Sequence, residues 1–349
     1  MTNTLTIQRP DDWHLHLRDG AMLQSVAGAT AAHFARALIM PNLIPPVITE
    51  ADAIAYRQRI RAALSRTGQS LEPLMTLYLT DETEPTEVVN AAKNGVITAV
   101  KLYPAGATTN SASGVTGIEK VMPVLEAMAE HGIVLCIHGE TTRADVDIFD
   151  REKIFIDEVL APLRATLPEL KIVLEHVTTR HGVEFVQSQE RNTGATLTPH
   201  HLLLNRNHML VGGIRPHYYC LPILKREEHR HALVTAATSG DQRFFLGTDS
   251  APHTANTKEN ACGCAGVFNA PNTLATLAHV FESASALEHL EGFTSIHGPT
   301  FYGLPVNNAT LTLEKRADPL EINRRLVVGE EHVVVFDPGL PLFWHPLEG

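Results

Sequence analysis

Short apolar runs alternate with stretches of helical periodicity along most of the chain. Eight runs have strand character: WHLHL (13–17), ARALIMP (35–41), LMTLYLT (74–80), TAVKLYP (98–104), IVLCIHG (133–139), KIVLEHV (171–177), GATLTP (194–199) and FFLGTDS (244–250). Runs such as IVLC and KIVL are apolar on both faces, the pattern of a parallel strand with helices on one side and packed side chains on the other. Between the fourth and fifth runs Val121, Val124, Leu125 and Met128 recur at helical spacing, and Gly132 stands where a left-handed residue would end the helix. Repeated βα units predict a parallel sheet, and eight of them predict closure into a (β/α)8 TIM barrel. After residue 305 the alternation gives way to LTLEK and EEHVVVFDPG, which predict a small C-terminal extension of β character. No Gly/Ser linker or low-complexity segment intervenes, so one domain is expected over 1–349, with 309–349 as its extension.

With 349 residues and 44% hydrophobic content, the chain can bury a core of that size. The net charge of -11, with no Lys/Arg-rich block, excludes a nucleic-acid footprint, so an anionic ligand must be held by local groups. No apolar run reaches bilayer-spanning length, and MTNTLTIQRPDD has no basic-then-apolar leader pattern, so no membrane partner and a cytoplasmic location are expected. Cysteines at 136, 220, 262 and 264 are too scattered for a disulfide framework. The C-G-C of Cys262 and Cys264 lacks the second ligand pair of a structural zinc site.

Polar residues on these strands carry the chemistry. Side chains alternate along WHLHL, so His14 and His16 share a face and can reach one ion. His138 ends the fifth run, His176 lies near the end of the sixth and Asp249 near the end of the eighth. In a βα barrel that carboxyl-terminal rim is where active sites are built, and imidazole with carboxylate suits Zn2+. Lys101 interrupts TAVKLYP, where a protonated ammonium is costly to bury. A lysine of depressed pKa can react with CO2, and the carbamate offers two anionic oxygens that could link two metals. The stretch YPAGATTNSASGVTG, small and hydroxylated, follows on the same rim and could form a mobile lid.

Read in order, H-L-H-L-R, MPNL (40–43), K-L-Y-P, ATTNS (107–111), the single histidines of the fifth and sixth strands, NRNHMLVGGIRPH (205–217), CLPILKR (220–226), G-T-D-S-A-P-H, CGCAG (262–266) and FYGLPVN (301–307) resemble the dihydroorotase family of the amidohydrolase superfamily, in its short, single-function bacterial type. The resemblance runs from about residue 8 to about 308 and departs at no ligand position. It implies that His14 and His16 bind one zinc with Asp249, that His138 and His176 bind a second, and that carboxylated Lys101 and a hydroxide bridge the two. It further implies reversible interconversion of (S)-dihydroorotate and N-carbamoyl-L-aspartate in pyrimidine (UMP) biosynthesis, with Asp249 shuttling the proton. Arg18, Asn42 and His253 would grip the substrate carboxylate, and backbone groups of Leu221 and Ala265 would take the ring amides. His16 and His138 would touch the substrate, Thr108 and Thr109 would reach it from the lid, and the family implies a homodimer.

Three other readings share parts of this pattern. A hydantoinase or allantoinase would keep the metals but differ at Arg18, Asn42 and the 205–226 loop. A non-catalytic barrel would have lost ligands, and none is lost. A phosphotriesterase-like hydrolase gains nothing from an arginine placed to grip a carboxylate.

Overall fold

The apolar runs pair side by side in the computed structural model, which describes residues 4–347. A first strand, β1 (Thr4–Gln8), is followed by eight that form one parallel sheet: β2 (Asp11–Leu15), β3 (Arg36–Ile39), β4 (Glu72–Leu79), β5 (Ala99–Leu102), β6 (Val134–His138), β7 (Ile172–Glu175), β8 (Thr193–Leu197) and β9 (Phe244–Leu246). Strand order follows chain order. The sheet closes between its first and last members, where Leu15 bridges Ser250, the His16 amide donates to Ser250 O at 3.1 Å and the Asp249 amide donates to His14 O at 2.9 Å. The expected (β/α)8 barrel is therefore present, six of its strands shorter than the apolar runs, with β2 and β4 each beginning two residues earlier than expected.

Between the strands lie α1 (Gly20–Ala31), α2 (Glu50–Leu64), α3 (Pro85–Lys93), α4 (Met122–His131) and later, shorter helices. Thr49 and Asp52 form a reciprocal capping box at the start of α2. The helix expected before Gly132 is α4, and Gly132 ends it at φ 66°. Buried aliphatic side chains on the outer faces of the strands pack beneath these helices and form the larger core.

The inward faces form a second core of Trp13, Leu38, Met40, Ala99, Val134, Cys136, Val173 and Phe245. Trp13 stacks on Tyr302 with ring centroids 4.3 Å apart, and its indole leaves no room beside Gly298. Alternation then raises a polar residue above this apolar floor. Lys101 follows Ala99, His138 follows Cys136, Glu175 follows Val173 and Thr196 follows Gly194, each at the carboxyl end of its strand.

Residues 310–315 form β10, which pairs antiparallel with β1 on one side and with Trp344–Pro346 on the other. Arg325–Val328 and Glu331–Val334 form a separate hairpin, and Val333 and Val335 make single bridges to Thr254 and Phe268.

Candidate metal centre

His14 Nε2 and His16 Nε2 lie 3.3 Å apart. Asp249 Oδ1 lies 3.0 Å from His16 Nε2 and 3.5 Å from His14 Nε2. All three side chains are buried. The other ring nitrogens are already engaged: His14 Nδ1 pairs with Glu175 Oε2 at 2.8 Å, and His16 Nδ1 with Asn42 Oδ1 at 2.8 Å. A partner on Nδ1 fixes the tautomer that leaves Nε2 a lone pair, the arrangement found around metal-bound imidazoles.

His138 and His176 complete the ring of imidazoles, with centroids 4.7 Å apart, and His176 lies 5.0 Å from His14. Glu140 Oε2 holds His138 Nε2 at 2.8 Å, which leaves Nδ1 of that ring available to a ligand. Burial lowers the pKa of His14 to about 4, with Lys101 adding to the effect. Burial also holds His16 and His176 well below the ordinary imidazole value, helped by Arg18 at the first and His138 at the second. Neutral imidazole is the form that ligates a cation.

Lys101 is fully buried, and its Nζ has no hydrogen-bond partner. It sits 5.0 Å from the centre of the Tyr103 ring, and burial pushes its ammonium down. Its charge acts on His14, His16, His176 and Asp249 alike, so it stands among these four candidate ligands. An amine without an acceptor, an unpartnered His176 Nδ1 and three donor atoms within 4.8 Å of one another make a poor resting place for a dry protein interior. They are a good fit to divalent ions with nitrogen and oxygen ligands.

Further out, His14, His16, Arg18, Asn42, Thr108, Thr109, His138, His176, Leu221, Asp249 and Ala265 line a single cavity. Arg18 does not reach it along a strand face. β2 has ended at Leu15, and Arg18 turns inward through a left-handed backbone at φ 60°. Its Nε donates to Pro252 O at 3.2 Å and its NH2 group contacts His253 Nε2 at 2.9 Å, while NH1 is buried without a partner. Burial and the neighbouring Arg18 lower His253 to about 2, so it is a neutral acceptor that orients the guanidinium. Asn42 is spent at both ends, since Nδ2 donates to Thr109 O at 3.1 Å. It therefore ties a histidine to the loop expected to be a lid. Thr109 Oγ1 reaches Ala265 O at 3.4 Å, and the free volume left is about 20 Å³. That is room for a water molecule and too little for an organic ring.

Glu140, Glu175 and Asp12 escaped the reading of the sequence. Asp12 accepts from the His14 amide at 3.1 Å, the Thr248 amide at 2.9 Å and Thr248 Oγ1 at 2.6 Å, which locks β2 to the segment bearing Asp249. Burial raises its carboxyl to about 7. The signal that could have found all three is an acid inside or directly beside an apolar strand, where only a partner justifies its presence.

With this geometry in view, known proteins agree. The profile of the amidohydrolase family matches residues 11–324. The dihydroorotase of Chelativorans sp. (strain BNC1) is 63% identical over 341 residues, 98% of each chain. Among solved structures, dihydroorotase from Campylobacter jejuni matches with a TM-score of 0.89 at 37% identity, over 99% of this chain and 98% of that one. Dihydroorotase from Saccharomyces cerevisiae, in complex with 5-fluoroorotic acid, matches with a TM-score of 0.90 at 32% identity over 99% of each chain. The chain belongs to the dihydroorotase family of the amidohydrolases.

Proposed function

We propose that this cyclic amidohydrolase interconverts (S)-dihydroorotate and N-carbamoyl-L-aspartate, the ring-closing step of pyrimidine biosynthesis, with two zinc ions per subunit. The observation that carries the reading is the meeting, in one buried cavity, of the His14, His16 and Asp249 cluster with an arginine whose NH1 has no partner. His14, His16 and Asp249 would hold one ion, His138 and His176 the other, and Lys101 as its carbamate would span both. When bound, the ions supply a Lewis acid for the scissile carbonyl and make water acidic enough to react near neutral pH.

The chain's own groups do the rest. A neutral Lys101 amine adds to CO2 and releases a proton, and burial favours that neutral amine. The free NH1 of Arg18 meets the ring carboxylate, and the neutral His253 beside it keeps the guanidinium aimed. Asn42 joins that grip by exchanging its bond to Thr109 O for one to the carboxylate. The loop bearing Thr108 and Thr109 lifts to admit the ring, breaking the Thr109 contact to Ala265 O, after which Leu221 and Ala265 present backbone groups to the ring amides and the two threonines close over the top. Burial pushes the Asp249 carboxyl up, which suits it to take a proton from attacking water and return it to the leaving nitrogen. Ring closure uses the same groups in reverse.

The same reading takes a cytoplasmic homodimer acting on a small molecule. Among the described residues no helix is long and apolar enough to cross a membrane. The test is the ultraviolet loss of dihydroorotate on incubation with the purified chain, before and after chelation, with hydantoin and allantoin as competing substrates. Chelator-sensitive loss confined to dihydroorotate is expected. Turnover of hydantoin or allantoin alone would keep the metal barrel and overturn the substrate.

A further inference from the structure

Lys258 is a buried cation close to the cavity that the mechanism above leaves unused. Lys258 closes the short helix Ala255–Lys258 that follows His253, and its side chain is buried. Its Nζ donates to three backbone carbonyls: Tyr219 at 3.1 Å, Cys264 at 2.9 Å and Gly266 at 2.6 Å. An ammonium has three N–H groups, so these carbonyls saturate it. Among the described residues no carboxylate forms an ion pair with it. Burial lowers the ammonium to about 8, and the three carbonyls hold its charge against that desolvation.

The three carbonyls identify what the charge is for. Cys264 O and Gly266 O flank Ala265, and Tyr219 O lies two residues before Leu221. The Gly266 amide also donates to Tyr219 O, at 3.0 Å. Gly266 has φ 152°, and a Cβ there would meet Ala251 O at 2.5 Å, so the loop lies flush on the segment after β9. Two stretches far apart in the chain are thus joined at one nitrogen, and both line the catalytic cavity.

We infer that Lys258 is a positioning residue for the substrate's amide edge: its ammonium clamps the 219–221 and 264–266 segments so that the Leu221 and Ala265 backbone groups stand at the spacing the ring requires. This rests on the proposed assignment of those groups to the ring amides. The lysine touches no reacting atom. It acts through the peptide groups on either side of Ala265.

The test is Lys258→Met, assayed for the KM and kcat of dihydroorotate, for metal content per chain, and for inhibition by succinate, a dicarboxylate with no amide edge. We expect the KM of dihydroorotate to rise about tenfold, the equivalent of one poorly made hydrogen bond to an ionised or buried partner. Metal content and the inhibition constant of succinate should stay at parental values. Should Lys258→Met fail to fold, Lys258→Arg carries the same test, because a planar guanidinium keeps the charge and cannot meet three carbonyls arranged about one tetrahedral nitrogen. An unchanged KM overturns the inference. So does a KM that rises in step with the succinate constant, since that is the mark of a generally loosened site. Failure of the parent chain to turn over dihydroorotate would instead strike the functional reading on which the clamp depends.

Discussion

Glu175→Gln separates an ion-holding function from ordinary packing. Glu175 Oε2 accepts from His14 Nδ1 at 2.8 Å and from Thr196 Oγ1 at 2.5 Å, fully buried at the end of β7. Glutamine keeps the length, the shape and an acceptor oxygen in the same place, so both contacts survive in geometry. What it loses is charge. A neutral hydrogen bond contributes about 1 kcal/mol and a charge-assisted one roughly twice that, so the exchange removes about 1–2 kcal/mol from the support of His14. Converted at about 1.4 kcal/mol per factor of ten, the ion proposed for His14, His16 and Asp249 should bind about five- to thirtyfold more weakly, overlapping the range typical of partners of ligating histidines. The ion proposed for His138 and His176 would depend instead on Glu140, which supports His138 at 2.8 Å, and should keep its affinity. The assay is removal of metal by chelation and return of zinc in competition with a chromophoric chelator, with Glu140→Gln as the reciprocal variant. If Glu175→Gln binds both equivalents with parental affinity, the carboxylate is a passive filler and the argument fails.

Three further changes probe other parts of the scheme. Lys101→Ala should abolish turnover and the bridging between ions, and near-normal turnover with one variant chain would refute the two-ion reading. Tyr56→Phe removes the phenol that donates to Arg18 O at 2.6 Å; we expect a loss of about 1 kcal/mol in urea unfolding and a severalfold rise in KM, with kcat retained. Gly298→Ala would place a Cβ 1.9 Å from Trp13 Nε1, and overpacking of this kind costs about 1–3 kcal/mol, so thermal unfolding should shift down and an unmoved transition would show that the inner core is softer than drawn.

The barrel was legible because a parallel strand covered on both sides must be apolar throughout, which no surface element imitates. Its ends were not, since WHLHL continues apolar past Leu15, where pairing stops. β1 was overlooked for another reason: TLTIQ is five residues long, and although LTLEK reads as β, its pairing with a segment some 300 positions away leaves no trace in either local pattern. At the site, alternation located the side chains that point inward from strands, Lys101 and His138 among them. It could not locate Arg18, which enters by a turn, nor the double engagement of Asn42 with His16 and the lid. Such links are made between loops, and loops carry no period.

Backbone strain gathers where those links are. Among the described residues six non-glycines have positive φ, and four of them are Arg18 at 60°, His176 at 39°, Asp249 at 44° and Asn110 of the loop over the cavity at 58°. Such conformations cost about 1–3 kcal/mol each and persist only where the surroundings over-determine them. Here each is pinned from a different element. The Tyr56 phenol in α2 holds Arg18 O, Thr196 Oγ1 in β8 accepts the His176 amide at 2.7 Å, His14 O in β2 accepts the Asp249 amide, and the Asn110 side chain donates to Asn42 O at 3.1 Å. A strand that simply ran on would carry its last side chain up and away from the barrel axis. The left-handed turn brings that side chain back over the mouth, and only the neighbouring strand or helix makes the turn tolerable. The candidate site residues therefore acquire their positions from the closed barrel as a whole, because each pin comes from a segment outside the one it restrains.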